Sequence, residues 1–183
     1  MLKQWVSILD EIFKKDNNFQ AYIVHFQSAH VITKFFKGHS FFYNELEAPH
    51  LLFSNSMINE VVKDIHEWDP LIVVADLSLK IPIDFFEKVR TNTIMERKIW
   101  VPVSYSNSGL PSDDFRVISF YKNDFQEFGI YDELQWYTIE NKVLVKKFLD
   151  NGFILHRSLE KELVIASEMP SGINNFSVLK EKN

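Results

Sequence analysis

The chain has 183 residues, a formal charge of −5 at pH 7 and no cysteine. This length favours one domain, and the acidic balance argues against a nucleic-acid-binding surface. The absence of cysteine excludes disulfide bonds, thiol nucleophiles and thiolate metal ligands. The five glycines are scattered along the chain, so no phosphate-binding glycine loop, dinucleotide fingerprint or nucleophile elbow is expected.

The hydropathy pattern bears on location. The sequence contains no run of the ~18 apolar residues that a membrane span requires. Its first residues do not show the apolar block and small-residue cleavage site of a signal peptide. A cytoplasmic protein without a membrane span is therefore expected.

The first half of the chain alternates helical and strand patterns. Apolar residues recur at helical spacing from Trp5 to Phe13, which predicts an amphipathic helix. The β-branched run Leu71–Ala75 predicts a strand that is buried on both faces, as in a parallel or mixed sheet. In chain order the predicted elements are a helix at about 2–16, strands at 21–26 and 31–36, a loop at 37–55 with a short strand at 51–53, a helix at about 57–67 and the strand at 71–75.

The second half continues this alternation. Pro102 indicates an edge or a bulge in its strand. The predicted elements are a helix at about 82–92, a strand at 99–105, a loop at 106–114, a strand at 117–121, a short helix or turn at 122–128, a helix at about 138–150 and strands at 153–156 and 163–166. This order predicts an α/β fold, a three-layer sandwich with a mixed sheet, forming a single domain over residues 1–168. The polar C-terminal tail, 169–183, is predicted to be loose from Pro170 onward.

Two acidic residues are candidates for chemistry. Asp76 ends the buried strand, and ligands of open α/β sheets bind at the carboxyl ends of strands. The alternative is a structural carboxylate that caps the next turn. Glu140 stands at the front of a helix, where it is either a catalytic group or an acid that stabilises the helix dipole. The six histidines have no metal-motif spacing.

Several stretches resemble one family. Residues 57–76 read Met-Ile-Asn-Glu-Val-Val-Lys-Asp-Ile-His-Glu-Trp-Asp-Pro-Leu-Ile-Val-Val-Ala-Asp, which resembles the helix and strand before the Asp-any-Asp motif of GT-A glycosyltransferases. The resemblance is to the chondroitin-type N-acetylgalactosaminyltransferases and their galactosyltransferase relatives in particular. Further similar stretches are Arg90–Asn92, Lys98–Tyr105, Tyr121–Asp132 and Trp136–Arg157. The resemblance implies a GT-A fold, truncated because the family's first strand is missing from this chain.

The resemblance also implies roles for residues. It places Asp76, Ser78 and Arg90 on the donor side, Asp132 and Trp136 on the acceptor side, and Glu140 as the catalytic base. In the family, the last Asp of the Asp-any-Asp motif holds the metal, but Ser78 stands at that position here. A neutral hydroxyl is a poor ligand for Mn²⁺ or Mg²⁺.

Other departures fall on the same machinery. Asn141 replaces the Asp of the family's Glu-Asp pair, and an amide cannot act as a base. Ile165 stands where a histidine often completes the metal shell. The Gly-Gly turns have become Gly129-Ile130 and Thr138-Ile139. The missing first strand implies an open sheet edge, which favours a partner or self-association.

Three hypotheses follow. The first is a degenerate glycosyltransferase-like protein that transfers no sugar, needs no cofactor and acts by binding a UDP-sugar, a glycan or a protein partner such as an active transferase. The second is an active UDP-sugar-dependent transferase with Glu140 as base. It would use Mn²⁺ or Mg²⁺ on Asp76, or it would neutralise the diphosphate with Arg90, Arg97 or Lys98. The third is a small α/β adaptor protein unrelated to sugar transfer.

Overall fold

The computed structural model describes residues 2–25, 43–47, 54–76, 78–130, 141–165 and 176–181. The strands in this part of the chain are β1 (Phe19–His25), β2 (Tyr43–Glu47), β3 (Leu71–Asp76), β4 (Leu79–Lys80), β5 (Lys98–Trp100), β6 (Val103–Tyr105), β7 (Pro111–Ser112), β8 (Val117–Tyr121), β9 (Ile154–His156), β10 (Leu159–Ile165) and β11 (Phe176–Glu181). The helices there are α1 (Leu2–Lys15), α2 (Ser54–Asp64), α3 (Phe85–Asn92), α4 (Lys122–Asp124), which continues into the π-helix Phe125–Gly129, and α5 (Asn141–Asp150).

The strands form two sheets. The larger sheet has the order β2-β1-β11-β3-β8-β5-β9, and the smaller one has the order β4-β10-β6-β7. Strand β3 is antiparallel to both of its neighbours, β11 and β8, whereas the outer pairs β1–β2 and β5–β9 are parallel. The α/β class predicted from the sequence is confirmed, with a second, smaller sheet that the pattern did not indicate.

Strand β3 lies in the centre of the core because both of its faces are covered. Its residues Leu71, Val73 and Ala75 pack in one apolar cluster with α1 and α3. Ile72 and Val74 pack in a second cluster with α2 and α5. Successive side chains of a strand point to opposite faces of its sheet. Helices therefore cover both faces of the larger sheet, as the continuous apolar run predicts.

The strand predicted over residues 99–105 is divided between the two sheets. Strand β5 ends at Trp100 in the larger sheet, and β6 begins at Val103 in the smaller one. Pro102 lies between them and has no N–H to donate to a ladder. The N–H groups of Val101 and Val103 donate to the carbonyls of His156 and Ser158, each at 2.9 Å. The crossing segment therefore runs beside the connection from β9 to β10.

Two predictions made from polar composition are wrong. The tail predicted to be loose contains β11, in which Val178 lies opposite Tyr22 of β1 on one side and Val74 of β3 on the other. The loop predicted over residues 37–55 contains β2, which pairs with β1. Both strands are formed by pairing with strands remote in sequence, and local composition does not report such pairing. The strands predicted at 31–36 and 51–53 lie outside the described residues.

Lys88 connects α3 to the smaller sheet. Its Nζ lies 3.0 Å from Glu160 Oε2, 3.0 Å from Glu162 Oε2 and 3.3 Å from Asp84 Oδ2. Burial alone would lower the pKa of Lys88, but the hydrogen bonds to these three carboxylates raise its pKa above the ordinary value. The ammonium group therefore stays charged and holds β10 against the helix.

Stacked phenylalanine rings fill the core beneath α5. The ring of Phe120 lies 4.8 Å from that of Phe125 and 5.8 Å from that of Phe148, measured between centroids. Phe148 also meets Phe153 edge-on at 5.0 Å. Phe120 and Phe148 are fully buried. The ring of Phe148 is therefore held on two sides and has little room to move.

Substitution of Gly129 by alanine is expected to destabilise the protein by about 1–3 kcal/mol, as overpacking of a core does. A Cβ at this position would lie 2.7 Å from Cζ and 2.8 Å from Cε2 of Phe148. The Phe148→Leu substitution removes these ring atoms, so the double variant should lose less than the sum of the two single losses. Urea unfolding of the four proteins measures this, and simple additivity would contradict the predicted clash.

Candidate functional site

The carboxyl end of β3 lies beside the start of β8. Ala75 of β3 is opposite Val117 of β8 in the antiparallel register. One residue further along, the N–H of Asp76 donates to the carbonyl of Arg116 at 2.9 Å. The register thus places the side chain of Arg116 next to the carboxylate predicted for the donor side.

Both oxygens of the Asp76 carboxylate are occupied. Oδ2 accepts a hydrogen bond from Arg116 Nη1 at 2.7 Å, and Oδ1 accepts one from the N–H of Ser78 at 2.8 Å. Nη1 of Arg116 also lies 3.2 Å from Ser78 Oγ, and its Nη2 donates to Asp114 Oδ2 at 2.9 Å. Asp76 and Ser78 are buried, at 9% and 2% exposure. The bond to the Ser78 N–H is the turn-capping contact expected of a structural carboxylate.

These residues do not fit a divalent cation. The positive guanidinium of Arg116 lies at the distance of a direct ion pair from Asp76. The third residue of the motif, Ser78, offers a neutral oxygen where Mn²⁺ or Mg²⁺ favours a carboxylate. Within the described part of the chain, no three His, Asp or Glu residues are grouped so that they could hold a metal ion.

Ile165, at the position where the family often has a histidine, lies close to this end of β3. It ends β10 and pairs with Leu79 of β4, the residue that follows Ser78. Its side chain is partly buried against the first apolar cluster. The departures at positions 78 and 165 are therefore neighbours in the fold, although almost half the chain separates them in sequence.

The amino end of α5 meets the same corner through Phe115. Asn141, the first residue of α5, donates a hydrogen bond from Nδ2 to the carbonyl of Phe115. The guanidinium carbon of Arg157 lies 4.5 Å from the centroid of the Phe115 ring, and Lys142 Nζ lies 5.7 Å from it. We call Phe115, Arg116, Asn141, Lys142 and Arg157 the basic corner. Asn141 is buried and uses its amide to fix the backbone.

Three of the predicted site residues lie outside the described part of the chain. They are Asp132, Trp136 and Glu140. Asn141 follows Glu140 directly, so the predicted base is adjacent in sequence to a residue of the basic corner.

Arg90, predicted for the donor side, lies on α3. Its Nη2 is 2.5 Å from Asp16 Oδ2 in an ion pair. The pair lies in a cleft of about 360 Å³ between the end of α1 and α3, lined also by Lys15 and Glu87. Asp76 is not among the residues that line this cleft.

The other cations considered for a metal-free site lie at the opposite end of the sheet. Trp100 of β5 and Val73 of β3 both lie opposite Ser119 of β8. The start of β5, with Arg97 and Lys98, is therefore level with the amino end of β3. Arg116 is the cation that sequence reasoning missed. The sequence shows only that Arg116 precedes the predicted strand 117–121. No local pattern indicates that β3 is the neighbour of that strand.

One carboxyl group with a raised pKa, that of Asp124, lies outside the basic corner. Burial raises the pKa of Asp124 to about 6, and the nearby Asp69, Glu96 and Glu127 carboxylates add to the effect. The hydrogen bond that Asp124 Oδ2 accepts from the N–H of Glu96 at 3.0 Å opposes it. The side chain is 4% exposed. The folded protein therefore binds this proton more tightly than the unfolded chain does.

Asp124 should consequently stabilise the protein in mild acid. Its contribution is present below the unfolded pKa of 3.8 and is lost as the pH rises through about 6. We expect wild type to gain about 1–3 kcal/mol relative to Asp124→Asn between pH 8 and pH 4.5. Urea unfolding of both proteins over this range measures the difference, and parallel pH profiles would show that Asp124 has no raised pKa.

The corner at the end of β3 belongs to a mixed α/β fold. A comparison with known families gives the family of the chain. The family model for chondroitin N-acetylgalactosaminyltransferase matches residues 10–107, more than half of the chain. The chain belongs to this family. The matched region contains Asp76, Ser78 and Arg90 but ends before Arg116. No curated protein and no solved structure shows a significant match.

The comparison bears on two of the other expectations. Family membership favours the two glycosyltransferase-like hypotheses over the unrelated adaptor protein. Among the described helices, none is both long enough and apolar enough to cross a membrane.

Proposed function

We propose that this chain is a degenerate glycosyltransferase-like protein that carries out no sugar transfer and acts by binding. The proposal includes a GT-A-like donor site at the end of β3 whose metal position is taken by the guanidinium of Arg116. The observation that carries it is the ion pair between Arg116 and Asp76, at 2.7 Å.

The first support for the proposal is that the charge of Arg116 is already neutralised within the protein. Transfer from a UDP-sugar leaves a diphosphate whose developing charge must be stabilised by a metal ion or by fixed cations. The guanidinium of Arg116 is already bonded to Asp76 and Asp114, so its charge is compensated within the protein. Less of its charge is therefore left to stabilise a leaving diphosphate.

The second support for the proposal is the loss of a possible base at position 141, on the acceptor side. A general base must accept the proton of the attacking hydroxyl. Asn141 cannot do so, and its amide is bonded to the carbonyl of Phe115. Of the family's Glu-Asp pair, this chain keeps only the glutamate, Glu140.

The ligand that we propose is a UDP-sugar or a glycan, bound without metal. If neither binds, the remaining partners are proteins, either an active transferase or a second copy of this chain. Chemical crosslinking of the purified chain, followed by sizing, separates self-association from a requirement for a different protein.

The test is a thermal-shift titration with UDP and UDP-N-acetylhexosamines, with and without Mn²⁺. A ligand at a hundredfold excess over its Kd should raise Tm by about 5–10 °C for a chain of this size. We expect no Mn²⁺-dependent shift and no sugar transfer by wild type. We expect the Ser78→Asp/Arg116→Ala variant to gain an Mn²⁺-dependent shift, and Ser78→Asp alone to gain none.

Two results would contradict the proposal. Sugar transfer by wild type would remove it outright. A double variant that remains insensitive to Mn²⁺ would show that Arg116 is not what excludes the metal.

A second function is favoured by the same ion pair. A guanidinium fixed at the end of β3 could replace the metal and stabilise the leaving diphosphate in a metal-independent transferase. In that case wild type would turn over a UDP-sugar in the presence of EDTA, and Glu140→Gln would abolish turnover. Unchanged activity of Glu140→Gln would remove Glu140 as the base.

A further inference from the structure

One side of the Arg157 guanidinium makes no hydrogen bond to the residues that the structure describes. Its Nε and Nη2 are both buried and have no hydrogen-bond partner among the residues that the structure describes. These two nitrogens lie on the same edge of the guanidinium and carry parallel N–H groups, the fork that binds two oxygens of a carboxylate or a phosphate. Buried charged donors are normally paired with the protein, with water or with a ligand. The unpaired fork is therefore a place where the two oxygens of an anion can be bound.

The protein holds this fork rigidly. The guanidinium lies over the ring of Phe115 at 4.5 Å, where the attraction between cation and ring fixes its plane. The backbone on either side of Arg157 is held through the carbonyls of His156 and Ser158, which accept hydrogen bonds from Val101 and Val103. The fork is thus positioned before a ligand arrives, which reduces the entropy lost on binding.

The surroundings of Arg157 are positive. Lys142 Nζ lies over the same ring at 5.7 Å. Helix α5 begins next to it, and the amino end of a ten-residue helix carries a partial positive charge. The negative charges of Asp114 and Asp76 are compensated by their ion pairs with Arg116. Neither Arg157 nor Lys142 forms an ion pair with any acid that the structure describes.

We propose that the basic corner is an oxyanion-binding site, in which Arg157 holds the anion through Nε and Nη2 and Lys142 adds a second charge. The ligand group is a phosphate or a carboxylate, carried by a nucleotide or by an acidic sugar. This inference deepens the proposed binding function, because it names the ligand chemistry at the same corner. It does not depend on the absence of sugar transfer.

The test is isothermal titration calorimetry of the whole chain at constant ionic strength and without metal. The probes are inorganic phosphate, UDP and glucuronate, which separate a phosphate from a carboxylate as the preferred group. We expect saturable one-site binding of at least one probe. Arg157→Lys keeps the charge but loses the fork, and should weaken binding by about tenfold or more.

A matched pair of variants tests the second charge. Lys142 and Lys146 lie one helical turn apart on α5, and both are exposed. Lys142→Met should weaken binding severalfold, whereas Lys146→Met should bind as wild type does. In wild type, the side-chain Nε–H resonance of Arg157 should shift on titration, and this readout does not depend on the folding of any variant.

The outcomes separate the two proposals. No saturable binding of any probe, equal binding by Arg157→Lys, or an unmoved Nε–H resonance would overturn the oxyanion site and leave the lack of sugar transfer unaffected. Anion binding at Arg157 together with sugar transfer by wild type would support the site and overturn the proposed function alone.

Discussion

Deletion of residues 171–183 is expected to abolish the cooperative unfolding of this protein. The deleted segment contains β11, which pairs along its whole length with β1 on one side and with most of β3 on the other. Its loss would leave two unpaired strand edges about 10 Å apart in the middle of the larger sheet. Urea unfolding followed by circular dichroism and tryptophan fluorescence measures the effect.

A pair of point substitutions separates backbone pairing from loss of chain. Val178 lies in the middle of β11, opposite Tyr22 and Val74. Proline there removes an N–H from a strand with neighbours on both sides, whereas alanine keeps it. Val178→Pro should therefore lose most of the cooperativity of unfolding, as the deletion does. Val178→Ala should still unfold cooperatively. A truncated chain with the wild-type slope of unfolding free energy against urea would show that the tail is dispensable.

Substitution of Arg116 by methionine is expected to lower the free energy of unfolding by about 2–4 kcal/mol. The Asp76 side chain, which is 12% exposed, would be left in the protein without its cationic partner. The value is placed near the lower end of what buried pairs show, because the Arg116 side chain is 28% exposed and water screens the charge. Chemical denaturation measures the loss.

A double-mutant cycle identifies the ion pair as the cause. Asp76→Asn removes the charge that Arg116→Met leaves unpaired, so the double variant should recover part of the stability. Arg97→Met serves as the control, since Arg97 is exposed and its loss should change stability by less than about 0.5 kcal/mol. Strictly additive losses at positions 76 and 116 would mean that the two side chains do not interact.

The local elements of the fold could be predicted from the sequence, and the pairings could not. The apolar spacing that starts at Trp5 predicts α1, and the run Leu71–Ala75 predicts β3, because both patterns report burial within a few residues. Strand β11 has a polar sequence, Phe-Ser-Val-Leu-Lys-Glu, and is defined by hydrogen bonds to strands remote in sequence. Nothing in such a segment distinguishes it from a loose tail.

The same distinction between local signals and long-range pairing applies to the candidate site. Asp76 and Ser78 could be found because a carboxylate that ends a buried strand is a local signal. Arg116 could not be found, because its place beside Asp76 follows from the antiparallel register of β3 and β8. Lys98 was a reasonable candidate by charge, but its position along β5 puts it at the other end of the sheet.

The place of β11 also governs how the chain must fold. Phe19 of β1 pairs with Glu181 of β11, and β11 is the strand that lies between β1 and β3 in the larger sheet. Pairing of this kind requires the closure of a loop that includes most of the chain, and long-range pairing slows folding. During synthesis, β1 and β3 would therefore be made long before the strand that joins them. The larger sheet can therefore be completed only after residues 176–181 have left the ribosome.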